Sequence, residues 1–483
     1  MKKLIYVLLA LLSLSSCNNW LDVELDNKVD DNKLFSSAEG FKEALAGVYS
    51  ELSKQSLYGQ ALTMEYVDLM AQYYSYTGVS QSYTYWNDFD YSNSSVKSTI
   101  SSFWTRLYHN IGQLNCILEW ADKNASVLTD DERNQIRGEA LGLRAYLHFD
   151  LYRLFSPDVK RSPKADGIPY NKQYGVSLPP MYSAEETVQL IINDLLEAEQ
   201  CLANDPITKV IPYAIRTSTD NATNIIDKSA KDAADQYVAR MNLYAVKAML
   251  ARAYQARGEY TKAIAKAQEV IESGKFRLLD FESVDKSETS VDLLFSDEHI
   301  FSLRNKELGN YSLNLHRDIV SNGTTTLTSL PFTNIVSTYE SNNDDVRYAK
   351  WFNLGTFVKF NADSTSVYPQ KMPMIKLSEM YLLAAECSYS SSPTNALKYV
   401  NELRNHRIRN NKEWNSITQT YIVDEMRREY VGEGQLWYVY KRNNLTIPRS
   451  GGTSTDVVPS DKVFVFPYPD SEIEDGHRTQ HQK

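Results

Sequence analysis

The sequence is short of the residues and motifs that carry metal, phosphate or nucleophile chemistry. Its 483 residues include only four cysteines and seven histidines, and they contain no CxxC pair, HExxH motif, Walker loop or GxGxxG turn. With 19 glycines, 15 prolines and 42% apolar residues, the chain is neither collagen-like nor of low complexity. The composition therefore indicates a globular protein without a recognisable cofactor or metal site.

Basic residues are too few for a nucleic-acid partner. The chain carries 51 lysines and arginines against 61 aspartates and glutamates, a formal net charge of −10. A surface of that sign repels a phosphate backbone. We therefore exclude nucleic acid as a partner.

Cysteines are too sparse for a disulfide framework. Apart from Cys17, the chain has Cys116, Cys201 and Cys387, an odd number spaced far apart and each within an apolar helical pattern. This placement predicts buried free thiols.

Histidines and carboxylates show no recognisable catalytic arrangement. His148 lies in a strong helical pattern, where a histidine is more often structural than a base, and His477 and His481 lie in a polar tail. Carboxylate pairs suited to glycosidic hydrolysis can be drawn among 61 acidic residues, but linear spacing confirms none. We predict that the protein is not an enzyme and has no cofactor or metal, with a surface hydrolase as an alternative.

The start of the chain has the form of a secretion signal that ends at a lipid attachment site. Two lysines precede an apolar run that ends at Leu14, and a helix of about 11 residues rises only about 16 Å, half of a bilayer core. The small residues before Cys17 resemble the lipobox of bacterial lipoproteins, in which the thiol receives a diacylglyceryl group before cleavage. We predict a signal peptide over residues 1–16, lipidation at Cys17 and an acidic tether over residues 17–32. The alternative is an ordinary signal peptide with an incidental cysteine.

Two segments show the three- and four-residue apolar spacing of amphipathic helices. The first begins near Arg137, and its apolar stripe continues to Leu154. The second follows Ser183, which forms a capping box with Glu186, each side chain satisfying the other's free backbone amide. Prolines and glycines between residues 156 and 180 predict a long irregular connection.

Two further segments resemble tetratricopeptide units. From Met249 to Ser273, small residues, a tyrosine and Gly258 occupy the positions that let two antiparallel helices pack closely, and a looser copy runs from Met380 to Arg404. One such unit cannot bury its own apolar face. We predict a mainly α fold in which tetratricopeptide-like hairpins form a superhelical scaffold with long irregular insertions, at roughly residues 71–102, 205–236, 281–370 and 443–470.

One insertion concentrates aromatic side chains among small polar residues. The chain has 33 tyrosines and 7 tryptophans, and the segment from Tyr73 to Tyr91 holds eight aromatic residues, with Val79 its only aliphatic one. Such mixtures are typical of binding surfaces, because Tyr and Trp give rigid contact area while small polar neighbours adapt their hydrogen bonds. The alternative is a structural segment whose rings pack on the helices.

An ordered set of motifs gives the chain a family resemblance. After the lipobox, the motifs are RGEALGLRAYLHFDLYRLF from Arg137, the capped segment from Ser183 to Ala198, LARAY at 250–254, KLSEMYLLAAE at 376–386, RREYVGEG at 427–434 with Lys441 and Arg442, and PYP at 467–469. In this order they resemble the SusD/RagB family of Bacteroidota surface lipoproteins over nearly the whole chain. Two positions depart from the family pattern, because Lys376 and Gln435 stand where arginine is common.

The resemblance implies a non-catalytic, lipid-anchored protein on the surface of the outer membrane. Such a protein captures an oligomeric nutrient and acts as a hinged lid over a SusC-like TonB-dependent transporter. The family's ligand contacts usually come from loops before the first strong helix and after the middle segment, here residues 300–302. The candidate ligand-binding residues are therefore Tyr73, Tyr74, Tyr83, Tyr85, Trp86, Asn87, Tyr91 and Tyr311.

The resemblance leaves the cargo open. We predict an oligosaccharide, with an oligopeptide as the alternative because RagB-like relatives are associated with peptide uptake. A structural subunit of the transporter without a ligand pocket is a further alternative. Along the chain, we predict an N-terminal SusD-like helical region with the aromatic loop over residues 33–236, and a C-terminal region with the tetratricopeptide-like units over residues 237–483.

Overall fold

The structure is a computed structural model that describes residues 31–74, 81–175, 178–216, 228–279, 281, 292–316, 319–321, 324–326, 330–333, 335–353, 355–361, 370–449 and 455–480. The expected signal peptide, Cys17 and most of the expected tether lie outside the described residues. None of the described helices is both long enough and apolar enough to span a bilayer.

Helices make up most of the described chain, which confirms the mainly α fold class. The α-helices are α1 (Asp31–Leu34), α2 (Ala38–Leu52), α3 (Tyr66–Met70), α4 (Gln81–Asn87), α5 (Ser94–Lys123), α6 (Asp130–Phe155), α7 (Ala184–Cys201), α8 (Pro212–Arg216), α9 (Lys228–Val238), α10 (Leu243–Arg257), α11 (Tyr260–Ile271), α12 (Leu308–His316), α13 (Ile335–Thr338), α14 (Val346–Trp351), α15 (Leu377–Ser388), α16 (Pro393–Arg407), α17 (Gln419–Glu429), α18 (Leu436–Asn443), α19 (Asp461–Phe464) and α20 (Asp470–Glu474). A π-helix spans Ala61–Glu65, and 3-10 turns span Ala125–Val127, Leu202–Asn204, Pro206–Lys209 and Ser296–Glu298.

The strands are short and pair two by two in antiparallel ladders. They are β1 (Asp166–Pro169), β2 (Met181–Ser183), β3 (His299–Arg304), β4 (Ile319–Ser321), β5 (Thr324–Thr326), β6 (Phe352–Asn353), β7 (Thr356–Phe357) and β8 (Lys371–Lys376). β1 pairs with β2, β3 with β8, β4 with β5 and β6 with β7. The β3–β8 ladder is the longest, and its register sets His299 opposite Lys376.

The long helices form a continuous stack. α5 packs on α6, α6 on α7 and α7 on α10, and the stack continues through α11 and α15 to α16. α6 is buried on several faces because its apolar residues and small residues alternate around the helix, so neighbours can approach from both sides. The predicted helices at Arg137 and after Ser183 are confirmed as α6 and α7, and the capping box of Ser183 with Glu186 is present.

The two tetratricopeptide-like units are confirmed as the hairpins α10–α11 and α15–α16. In the first unit Gly258 ends α10 in the left-handed conformation, with φ +78°, and in the second Pro393 occupies the first turn of α16. The units are far apart in sequence, yet α11 packs directly on α15. Stacking therefore buries the apolar face that neither hairpin could bury alone.

The insertions are less irregular than the sequence predicted. The described part of residues 71–102 contains α4 and the start of α5, and residues 205–236 contain α8 and most of α9. The expected boundary between the N-terminal and C-terminal regions, between residues 236 and 237, falls inside α9. Of the expected buried thiols, Cys116 and Cys387 are buried, whereas Cys201 is half-buried, and all three are free.

A glycine motif at residues 432–434, Gly-Glu-Gly, holds helix α3 in place. The buried carboxylate of Asp68, on α3, accepts hydrogen bonds from the backbone N–H of Gly432 at 2.8 Å and of Gly434 at 3.0 Å. Gly434 adopts a φ of +65°, and a Cβ there would lie 2.5 Å from the carbonyl oxygen of Leu62. Only glycine allows the motif to approach the π-helix this closely.

Candidate functional site

Five of the candidate ligand-binding residues are buried in the protein, contrary to the expectation of an open platform. Their side chains are at most 3% exposed, and they are Tyr73, Tyr74, Trp86, Asn87 and Tyr91. Here the aromatic segment matches the structural alternative, because α4 turns Trp86 and Asn87 inward. For a ring as large as that of Trp86, the free energy gained by burying the apolar surface outweighs the cost of burying the polar tip.

The tyrosine hydroxyls and the Asn87 amide among these buried residues have protein partners, whereas Trp86 Nε1 has none among the described residues. The hydroxyls of Tyr73 and Tyr91 donate to the backbone carbonyls of Arg427 at 2.6 Å and of Val463 at 2.8 Å. The Tyr74 hydroxyl donates to the carbonyl of Met64 at 2.5 Å. Burial raises the pKa of each of these tyrosines well above its ordinary value. Tyr73 and Tyr91 thereby join the aromatic segment to the C-terminal part of the chain.

The other three candidates, Tyr83, Tyr85 and Tyr311, keep part of their surface exposed. Tyr83 and Tyr85 are half-buried residues of α4, and Tyr311 lies on α12, more than 200 residues later. Tyr311 borders an open groove of about 750 Å³, which we call groove A. Groove A lies between residues 54–66 and the first part of α5, and its lining residues are Lys54, Gln55, Ser56, Gln60, Ala61, Glu65, Tyr66, Ser98, Thr99, Ser102, Phe103 and Tyr311.

Tyr83 lies beside groove A, where it contacts two of the residues that line the groove. Its hydroxyl donates to Glu65 Oε1 at 2.9 Å, and its ring centroid lies 6.2 Å from that of Tyr66. Tyr66 in turn packs on the buried Trp86, with ring centroids 4.6 Å apart. The structure thus brings two of the candidates, Tyr83 and Tyr311, to one groove, and it uses the buried Trp86 as support for the groove wall.

The π-helix places a buried carboxylate in groove A. Its wide turns, closed by hydrogen bonds such as that from the Glu65 N–H to the Gln60 carbonyl at 3.1 Å, set the side chains of these two residues together. Gln60 Nε2 donates to Glu65 Oε2 at 2.9 Å. Burial raises the pKa of Glu65 above its ordinary value, although hydrogen bonds from Tyr83, Gln60 and Tyr66 oppose that shift.

Groove A combines flat rings with fixed hydrogen-bonding groups. Tyr66 and Tyr311 offer partly exposed ring faces, while Gln55, Ser98 and Ser102 offer amide and hydroxyl groups. Its volume falls within the range of about 300–1,000 Å³ that small-molecule sites occupy. The arrangement suits a ligand that has both apolar faces and many hydroxyl groups.

The sequence analysis missed the residues of segment 60–66. Gln60, Glu65 and Tyr66 lie in an apolar stretch that is typical of a core segment. The π-helix that brings Gln60 and Glu65 together leaves no periodic signal in the sequence. The two polar residues inside the apolar run were the available clue, because buried polar groups without an apparent partner often mark sites.

His148 acts as a structural side chain, as the sequence predicted. It is fully buried, donates from Nδ1 to the Arg144 carbonyl at 2.9 Å and accepts at Nε2 from the Asn171 N–H at 3.1 Å. Burial lowers its pKa to about 3, so the ring is neutral at physiological pH. Among the described residues, no group of three or more His, Cys, Asp or Glu side chains is arranged to hold a metal ion.

Two family models match the chain. The first, described as "Starch-binding associating with outer membrane", matches residues 19–255. The second, described as "SusD family", matches residues 297–475. Together the two matches take in most of the chain, including every motif after the lipobox that carried the resemblance.

Relatives and solved structures point to the same family. The SusD-like protein P38 of Formosa agariphila is 27% identical over 197 residues, an alignment that covers 41% of this chain and 36% of that relative. A SusD superfamily protein from Bacteroides thetaiotaomicron is 21% identical with a TM-score of 0.70, covering 92% of this chain and 100% of that one. Surface glycan-binding protein A from Bacteroides uniformis is 18% identical with a TM-score of 0.66, covering 92% and 99%. At these identities the solved structures establish a shared fold, and with the two family matches they show that the chain belongs to the SusD/RagB family.

Proposed function

We propose that this protein is a non-catalytic nutrient-binding protein that holds an oligosaccharide in groove A. The observation that carries the proposal is the convergence of Tyr66, Tyr83 and Tyr311 on a groove with a buried, hydrogen-bonded carboxylate, Glu65. Ring faces suit the C–H faces of sugars, and the amide and hydroxyl groups suit their hydroxyls. Relatives of the same fold are described as a glycan-binding protein and a SusD-like carbohydrate binding protein, which supports the same ligand class.

The arrangement of carboxylates in groove A supports binding without catalysis. Glycoside hydrolysis uses a pair of carboxylic side chains on the two sides of the scissile bond. Among the described residues that line groove A, Glu65 is the only carboxylate, and hydrogen bonds from Gln60 and Tyr83 engage both of its oxygens. The groove is therefore built to hold a ligand in place.

The cellular role that we propose is that of a lid. In this proposal Cys17 carries the lipid anchor at the outer-membrane surface, and the body closes over a SusC-like TonB-dependent transporter after capturing its cargo. The family description "associating with outer membrane" supports the location. Two or more acyl chains hold a protein stably at a membrane, since each buried CH₂ contributes about 0.8 kcal/mol.

Calorimetric titration of the purified protein tests the ligand class. Fractionated glycan pools and peptide digests are titrated separately, and every bound fraction is analysed for cleavage after long incubation. We expect heat from at least one glycan fraction and recovery of the intact glycan. Heat from peptides alone would replace the sugar by an oligopeptide cargo, and turnover of the ligand would establish a hydrolase.

A further inference from the structure

Groove A continues into a second groove on the same helix. This groove, which we call groove B, has a volume of about 520 Å³ and is lined by Glu51, Leu57, Ser98, Ser101, Ser102, Thr105, Arg106, His109 and Asn110. Ser98 and Ser102 of α5 line both grooves. The opposite wall is also shared, because residues 51–57 and 54–66 form one stretch of chain. The two grooves are therefore successive parts of one cleft along α5.

The α5 wall of groove B is a stripe of polar side chains. Ser98, Ser102, Thr105 and His109 recur at spacings of four, three and four residues, so they lie along one face of the helix. From Ser98 to Asn110 the helix rises about 18 Å at 1.5 Å per residue. The cleft is thus long enough to follow a chain ligand beyond groove A.

Arg106 supplies a positive charge that no carboxylate of the described residues pairs with. Its Nε donates to Ser102 Oγ at 3.1 Å, which holds the guanidinium beside a residue that lines both grooves. Within the described part of the chain, Arg106 forms no ion pair, whereas the groove's carboxylate, Glu51, pairs with Lys54. The terminal nitrogens of Arg106 remain available for a planar anion such as a carboxylate.

Asn110 provides a second and independent sign of a ligand. Its side chain is only 2% exposed, and its Nδ2 donates to the Arg106 carbonyl at 2.8 Å. Asn110 lines groove B, and its buried Oδ1 has no hydrogen-bond partner among the described residues. A buried acceptor without a donor is destabilising, and a ligand hydroxyl at this end of the groove would supply the donor.

We infer that groove B is a subsite for a uronic sugar, so that the cargo is an acidic oligosaccharide whose chain runs from groove A along α5. A uronic unit carries a carboxylate that Arg106 and His109 can bind and hydroxyl donors for Asn110. This inference rests on the proposed function and names its substrate class.

The test compares acidic oligosaccharides with neutral partners of the same linkage. The probes are oligogalacturonate and its methyl ester, oligomannuronate and its methyl ester, and xylo-oligosaccharides with and without a glucuronic acid branch. Calorimetry is run with the full-length chain, with Arg106→Gln, with Asn110→Ala and with Lys123→Gln. Lys123 is an exposed cation at the far end of α5, outside both grooves, and so provides the matched control.

We expect one acidic probe to bind at least about tenfold more tightly than its neutral partner, a difference that shrinks at high salt because ions screen exposed charges. Arg106→Gln should remove that difference, and Asn110→Ala should weaken the acidic probe, while Lys123→Gln changes neither. Equal affinity within every pair, or an acid preference that survives Arg106→Gln, would overturn the inference and leave groove A as a neutral-sugar site. Binding of glycans from the pools but of none of these probes would also overturn it, whereas no glycan binding at all would remove the proposed function first.

Discussion

At the residue scale, the aromatic side chains of segment 73–91 divide into supporting and exposed groups. Trp86 is fully buried and packs against Tyr66, Tyr91 and Phe466, whereas Tyr83 keeps part of its ring exposed beside groove A. The two groups should respond differently to truncation. Loss of a supporting ring removes stability, and loss of an exposed ring removes ligand contact.

Trp86→Ala should lower the free energy of unfolding by about 3–5 kcal/mol, because it empties the space of a fully buried ring. Tyr311→Ala should change it by about 1 kcal/mol or less, since Tyr311 is partly exposed. Urea denaturation followed by circular dichroism measures both values. A Tyr311→Ala variant that is as unstable as Trp86→Ala would mean that Tyr311 is a core residue.

Glu425 makes the stability of the protein depend on pH in the acidic range. It is fully buried, which by itself raises its pKa, but Arg347, Arg428 and Arg404 surround it and lower the pKa to about 2 from an ordinary value of 4.5. A carboxylate with a depressed pKa contributes stability above its unfolded pKa and loses it as the pH falls towards the folded value. Its contribution should therefore be complete above about pH 4.5 and fade between pH 4.5 and about pH 2.

Glu425→Gln is expected to destabilise the protein by about 3–5 kcal/mol at pH 7, because the guanidinium groups of Arg347, Arg404 and Arg428 lose a shared partner. The difference from the wild type should narrow on acidification, since protonated glutamate resembles glutamine. Unfolding by urea at pH 7, 4.5 and 3 provides the comparison. A difference that stays constant over this range would contradict the assigned pKa.

The site could be predicted from the sequence only in part. The family resemblance directed attention to Tyr83 and Tyr311, which the structure brings to groove A or its edge. Composition could not show that Tyr83 stays partly exposed while Tyr91 is buried. That difference depends on which side of α4, and of the turn after it, faces the C-terminal segment. The sequence pattern did not indicate Glu65 as a site residue, because a π-helix has neither the period of an α-helix nor that of a strand.

At the element scale, the contact between the glycine motif and the π-helix connects the C-terminal part of the chain to groove A. Gly434→Ala should destabilise the protein by about 1–3 kcal/mol for its left-handed backbone alone. The clash with the Leu62 carbonyl adds to this cost and should displace the π-helix. We expect weaker glycan binding in the same variant, measured by calorimetry at a temperature where it remains folded.

Gly47→Ala is the matched control for that substitution. Gly47 lies within α2, and apart from the local backbone of that helix no described atom lies within 4 Å of the position that its Cβ would take. Replacing an exposed helical glycine by alanine should raise the free energy of unfolding by about 0.5–1 kcal/mol. If both glycine variants lost stability equally, the close approach at Gly434 would not be the cause.

Helices with apolar periodicity were the elements that the sequence predicted best. Which helices pack against one another was the feature that it predicted least well. The capping box at Ser183 and the left-handed end of α10 at Gly258 have local causes, so their sequence signals sufficed. The contact between α11 and α15 depends on chain folding over more than 100 residues, which no local pattern encodes. The short helices of the insertions, such as α4 and α8, lack the length over which apolar periodicity can be recognised.

At the scale of the whole molecule, the proposed lid role requires attachment to the membrane through Cys17. Cells supplied with radiolabelled palmitate should incorporate label into the wild-type protein but not into Cys17→Ser, because only the cysteine thiol accepts the diacylglyceryl group. The variant should also leave the membrane fraction. Equal labelling of both proteins, or a periplasmic location of the intact wild type, would contradict the anchor.

The central claim is that the exposed tyrosines around groove A bind a glycan. The most direct test is calorimetric titration of the tightest glycan fraction into the wild type, the double variant Tyr83→Ala/Tyr311→Ala, and Tyr260→Ala, whose exposed ring lies on α11 outside the groove. Loss of two ring contacts of about 0.5–1.5 kcal/mol each, in addition to the buried area, predicts binding at least about tenfold weaker in the double variant. Tyr260→Ala should bind like the wild type. Unchanged affinity in a correctly folded double variant would contradict the claim.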